Sequence, residues 1–310
     1  MAHQYFLRAV VLCCCLLPAV HLLADLSTAA ADFSRYAEQT SFELSDGRAA
    51  ERQIAEAFDQ RFADQLNPES LAGADDEALM ALFEALETLQ FWVPSREALG
   101  WQKQVLLALE KKAGAAPQHY AALQKAMIRL REFPEARAYG QRYEALDLAP
   151  VPRARPLASE QPGSRYWTVS EGGAALIQMR ASPGPGEIRV VVAFHPSCRF
   201  SRQAWLTLAA DEDLSRSDFF AHSLWLIPPS DRFLSGQELA SDMLEPPLNW
   251  AYAHSKTDWP QVDLGQVPTL QVFDAAGQLL GRMTGWPVEP ERQRDQLQEL
   301  KQLLRTAGQL

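Results

Sequence analysis

Apolar positions recur at helical spacing along the first half of the chain. Asp75 to Trp92, Arg96 to Lys112 and Pro117 to Glu132 read as three amphipathic helices. Leu99, Val105, Leu106 and Leu109 share one face of the second, and Tyr120, Leu123, Met127 and Leu130 one face of the third. Start signals precede them: Asp75-Asp76, Pro94-Ser95 and Pro117. An earlier helix, about 48–66, alternates charges and small residues and reads as a surface helix. A fifth opens at Pro134-Glu135-Ala136 and runs to about Leu146. Paired, they make hairpins over 75–112 and 117–146.

The pattern changes after residue 148. Prolines 150, 152 and 156 block helix and favour an extended linker over 149–163. Strands are expected at Tyr166 to Val169 and Ala174 to Arg180, around Glu171-Gly172-Gly173, with a turn at Pro183 to Gly186. Ile188 to Phe194 is a β-branched apolar run, read as a buried strand. His195-Pro196-Ser197 turns it into Cys198 and a helix. Phe219 to Ile227 is the next strand, ended by Pro228-Pro229; a helix is expected over 237–244. Asn249 to His254 fits strand and helix equally. An irregular stretch after Trp259-Pro260 leads to Val267, a hairpin follows, and Glu289 to Ala307 is a closing amphipathic helix. The expected topology is a βαβ crossover, an antiparallel hairpin and a terminal helix.

Length and charge narrow the function classes. The 310 residues suggest about two domains. The formal net charge of -10, spread along the chain, argues against a nucleic acid or an anionic membrane as partner. Residues 1–31 read as a secretory leader: Arg8, an apolar run from Ala9 to Ala24, and Ala29-Ala30-Ala31 as a small-residue cleavage site. A periplasmic or secreted protein is expected, with an uncleaved N-terminal membrane anchor as the alternative. Cys13-Cys14-Cys15 fall inside the apolar run. Cleavage would leave Cys198 alone, with no internal disulfide. Its place at a helix N-terminus is one that favours the thiolate of a cysteine. No metal or cofactor is expected. His195 and Cys198 have a spacing that could ligate one ion, but His119, His222 and His254 are scattered, and no glycine-rich phosphate loop is present. Trp205, Trp225 and Trp250 read as core or cleft-wall aromatics.

Two resemblances follow from these residues. The paired helices of 32–148 resemble tetratricopeptide-type hairpins, although no clean 34-residue repeat fits them; this implies a surface that could dock a partner protein, with a structural appendage as the alternative. Residues 164–310 resemble the thioredoxin superfamily. The strand 188–194, Cys198-Arg199-Phe200-Ser201 in place of Cys-x-x-Cys, Val267-Pro268-Thr269 before a hairpin, and Gly285 carry that resemblance. It implies a nucleophilic Cys198 facing a cis-proline loop at Pro268, with Val267 and Thr269 holding an extended substrate. Ser201 stands where the family has its resolving cysteine. A hydroxyl cannot resolve a mixed disulfide, but it can donate to the Cys198 sulfur. His195 and Arg199 are candidate charges beside that sulfur; both have solvent as the alternative. Val192 replaces the family's buried acid, and Ser197 its aromatic. The resemblance implies one-cysteine thiol–disulfide exchange with protein or low-molecular-weight thiols and disulfides. The alternative is a non-catalytic binding or assembly module on the same fold; a thiol peroxidase fits the spacing less well.

Overall fold

The computed structural model describes residues 17–44, 46–157, 163–170, 175–182, 188–229 and 249–310. Arg8, Cys13-Cys14-Cys15, the turns at Glu171–Gly173 and Pro183–Gly186, and the helix expected over 237–244 lie outside the described residues. The chain clusters into two units. One holds Met1–Ala126 and Ala145–Leu148, the other Met127–Glu144 and Ala149–Leu310. No described helix is long and apolar enough to cross a membrane.

The first unit is helical: α1 (Leu17–Glu43), α2 (Gly47–Phe62), α3 (Pro68–Gly73), α4 (Asp76–Trp92), α5 (Arg96–Lys111) and most of α6 (Pro117–Arg129). The start signals act as caps. Asp75 accepts from the Ala78 N–H at 2.9 Å, and the Ser95 hydroxyl from the Ala98 N–H at 3.1 Å. Gln90 fixes the turn between α4 and α5: its amide donates to the Ser95 carbonyl and accepts the Ser95 N–H. The helix read as a surface element is not one. Ile54, Phe58 and Phe62, four residues apart, form a narrow buried stripe on α2. Phe58 and Phe62 meet Phe33 of α1 at ring-centroid distances of 5.5 and 5.8 Å. The expected cleavage site lies within α1, where Ala30 is buried.

The second unit is an α/β layer structure. Its strands are β1 (Arg153–Arg155), β2 (Ser164–Val169), β3 (Ala175–Ala181), β4 (Val190–Ala193), β5 (Ser223–Ile227), β6 (Trp250–Ala253), β7 (Thr269–Phe273) and β8 (Leu279–Thr284). They form one sheet in the order β1-β3-β2-β6-β5-β4-β7-β8. β4 runs parallel to β5 and antiparallel to β7. The crossover from β4 to β5 carries α8 (Arg199–Ala210) and α9 (Glu212–Arg216), and α10 (Pro290–Thr306) closes the chain. The ambiguous stretch 249–254 is a strand because neighbours flank it on both sides: β5 pairs Leu226 with Ala251, and β2 pairs Tyr166 with Ala253. One sheet face buries Val191, Ala193, Leu224, Leu226, Ala251 and Phe273. The irregular segment after β6 covers it with Trp259, Val262 and Leu264.

α7 (Phe133–Arg142) departs from the hairpin expected over 117–146, since it clusters with the sheet. Arg131 turns the chain with a left-handed φ of 63°. Its buried guanidinium donates from Nε and Nη2 to the Ala253 carbonyl of β6, at 3.2 and 2.9 Å. Burial pushes that guanidinium down to about 9. Phe133 then meets Trp167 of β2 edge-on at 5.1 Å.

α10 is tied to α8 and α9 by charge. The buried Lys301 ammonium lies 2.6 Å from Asp211 and 2.9 Å from Asp213. Burial alone would lower the lysine pKa, but hydrogen bonds and charge from the two carboxylates outweigh it and raise the value. The hydrogen bond from Lys301 in turn lowers Asp213. The Asp213 contribution is therefore present above its ordinary value of 3.8 and is lost as pH falls through the depressed one. The Lys301 contribution is present below 10.5 and is lost as pH rises through the raised one. Lys301→Met is expected to lower Tm by about 2–4 °C at pH 7. The gap from wild type should close in acid below the carboxylate range. A gap of the same size at every pH, followed by circular dichroism melts, would show that packing alone is lost.

Candidate functional site

β4 and the turn after it aim one sulfur at one loop. The buried strand ends at Ala193, and Phe194 anchors the exit edge-on against Trp225 at 5.4 Å. The turn closes when the Cys198 N–H donates to the His195 carbonyl at 2.9 Å. Cys198 is the N-cap of α8: its φ and ψ of -79° and 119° are extended, and its carbonyl accepts the Arg202 N–H at 3.1 Å. Its side chain makes no capping bond. Half-buried, the thiol instead donates to the Val267 carbonyl, with Sγ 3.8 Å away.

Val267 opens the loop before β7, and the Val267–Pro268 peptide is cis. Neighbouring elements fix this loop. The Thr269 hydroxyl donates back to the Gln266 carbonyl at 2.9 Å. The Gly285 N–H donates to the Pro268 carbonyl at 2.7 Å. Gly285 has φ 78°, a left-handed conformation that glycine adopts at least cost. Gln271 holds the segment before the loop by accepting the Asp263 N–H at 2.7 Å. Pro268 and Thr269 are buried, and Val267 is half-buried at the surface. Cys198 and the loop Val267-Pro268-Thr269 are thus brought together.

The other expected site residues have partners of their own. Ser201 is 1% exposed, and its hydroxyl accepts the His195 N–H at 3.2 Å. That bond holds the turn that carries Cys198. His195 turns its ring toward Ser197: Nδ1 accepts the Ser197 N–H at 3.3 Å and lies 2.7 Å from the Ser197 hydroxyl. Arg199 is exposed and lays its guanidinium over the Phe200 ring, 4.6 Å from the centroid. Beneath the site Val192 is fully buried, with Trp225 and Leu270 in register on either side, so the position of the family's acid is apolar. Trp205 and Trp225 are core, and Trp250 is half-buried against Tyr252. Among the described residues, no group of three or more His, Cys, Asp and Glu could hold a metal ion.

Among solved structures, the chain is similar to a thioredoxin-like protein from Bacteroides caccae, at 13% identity and a TM-score of 0.28, over 78% of this chain and 84% of that one. No family model and no curated protein matches the chain. The mixed α/β sheet, the cis-proline loop and Cys198 at the head of α8 are the features that the resemblance of residues 164–310 implies.

Proposed function

We propose that the protein is an exported one-cysteine thiol–disulfide exchange protein acting through Cys198. The observation that carries the reading is the approach of a reachable sulfur to the Val267 carbonyl at the mouth of the cis-proline loop. In the exchange, the Cys198 thiol loses its proton and the thiolate attacks one sulfur of a disulfide. A new S–S bond joins Cys198 to that sulfur, and the other half leaves as a thiolate that takes up a proton. Ser201 offers no second sulfur, so the adduct persists until an external thiol attacks it. Half-buried Val267 lies at the surface of the loop where an extended substrate segment would lie, and buried Thr269 holds that loop in shape through the Gln266 carbonyl. The leader-like pattern of residues 1–31 is the sequence feature behind a periplasmic or secreted setting, where disulfides persist.

Incubation with oxidised glutathione, followed by peptide mass mapping, tests the reading. A persistent glutathione adduct is expected on the peptide containing Cys198, and dithiothreitol should remove it. No adduct at Cys198 would leave a thioredoxin fold used for binding alone.

A further inference from the structure

The helical unit carries a groove that the chemistry of Cys198 does not use. It lies between α3 and α5 and encloses about 340 Å³. Pro68, Leu71 and Ala72 form one wall, with Leu107 and Ala108 opposite. Leu107 is 53% exposed, a large apolar side chain left open to solvent. The α3 wall is already ordered. Asn67 accepts the Ser70 N–H at 2.9 Å and donates to the Asp64 carbonyl at 2.8 Å, so little further ordering accompanies binding there.

The polar rim has one sign. Gln104, Leu107, Ala108 and Lys111 recur three and four residues apart on α5, which places them on one face. Lys111 and Lys112 are exposed and form no ion pair among the described residues. In a chain of net charge -10, two adjacent exposed ammonium groups border this apolar trough. Carboxylates are their natural complement.

We propose that this groove docks an acidic, amphipathic segment of a partner protein. An apolar side chain of the partner sits against Leu71, Ala72 and Leu107. Gln104 hydrogen-bonds the partner's backbone, and its carboxylates pair with Lys111 and Lys112. The acidity of the whole chain disfavours an anionic lipid surface as the occupant. The docking concerns the helical unit alone and does not rest on the reading of Cys198.

Titration of the full chain into a short fluorescein-labelled peptide of alternating Glu and Leu, read by anisotropy, tests this. Saturable binding that weakens with salt is expected. Lys111→Glu with Lys112→Glu should weaken it about tenfold, as should Leu107→Asp. The lysine pair is exposed, so that variant keeps the test open if Leu107→Asp fails to fold. The proposal is overturned if the acidic peptide does not bind, if a Lys-Leu peptide binds equally well, or if the variants keep full affinity. Preferential binding to phosphatidylglycerol vesicles would overturn it too, as would self-association of the chain through Leu107 in sedimentation.

Discussion

Ser201→Cys is expected to convert a persistent mixed disulfide into a transient one. Cys198 is the N-cap of α8 and Ser201 is its third residue. N-cap and N3 side chains reach one another across the first helical turn. A sulfur at 201 would attack the Cys198 sulfur of the adduct, form an internal disulfide and release the glutathione thiolate. Mass mapping should show the adduct fall from near-complete to trace, with Cys198 and residue 201 joined by a disulfide. Replacing the hydroxyl weakens the bond that accepts the His195 N–H, at a cost of about 1 kcal/mol. An adduct as abundant and as lasting as in wild type would show that the two positions cannot meet, and the one-cysteine chemistry would then not follow from the serine.

Trp259→Ala is expected to destabilise the sheet unit by about 4 kcal/mol. Trp259 is 1% exposed and lies on a sheet face that an irregular segment covers, in one buried cluster with Val262 and Leu264 of that segment. Its indole N–H also donates to the Arg165 carbonyl at 2.9 Å, and truncation leaves that carbonyl with the His254 N–H, at 3.1 Å, in place of two donors. The same segment leads through Asp263, held by Gln271, to Val267. The variant should therefore react more slowly at Cys198 as well as unfold earlier in urea. Trp259→Phe should recover much of the loss. An alanine variant within about 1 kcal/mol of wild type would mean that the segment is not a working wall of the core.

These two positions also show what could be read before the fold was known. Cys198 and Pro268 were legible because each sits in a short motif beside a β-branched run. The caps at Asp75 and Ser95 were legible because a cap joins residues three apart. The Ser201 and Ser197 bonds were not, since both depend on the backbone path of a turn. On α2 the stripe of Ile54, Phe58 and Phe62 was hidden among alternating charges. β6 left no period to read because it is buried between two neighbours, and such runs carry no alternation. α7 looked like half of a helical hairpin because local pattern says nothing of what a helix packs against. Its anchor, Arg131, finds Ala253 at a separation of 122 residues.

That anchor decides where the chain can be cut. The prolines near residue 150 mark a boundary in the sequence, but a fragment begun there would leave Arg131 and Phe133 behind. The Ala253 carbonyl would lose its guanidinium and Trp167 the ring against its edge. The minimal autonomous fragment of the sheet unit therefore begins near Met127, upstream of the apparent boundary.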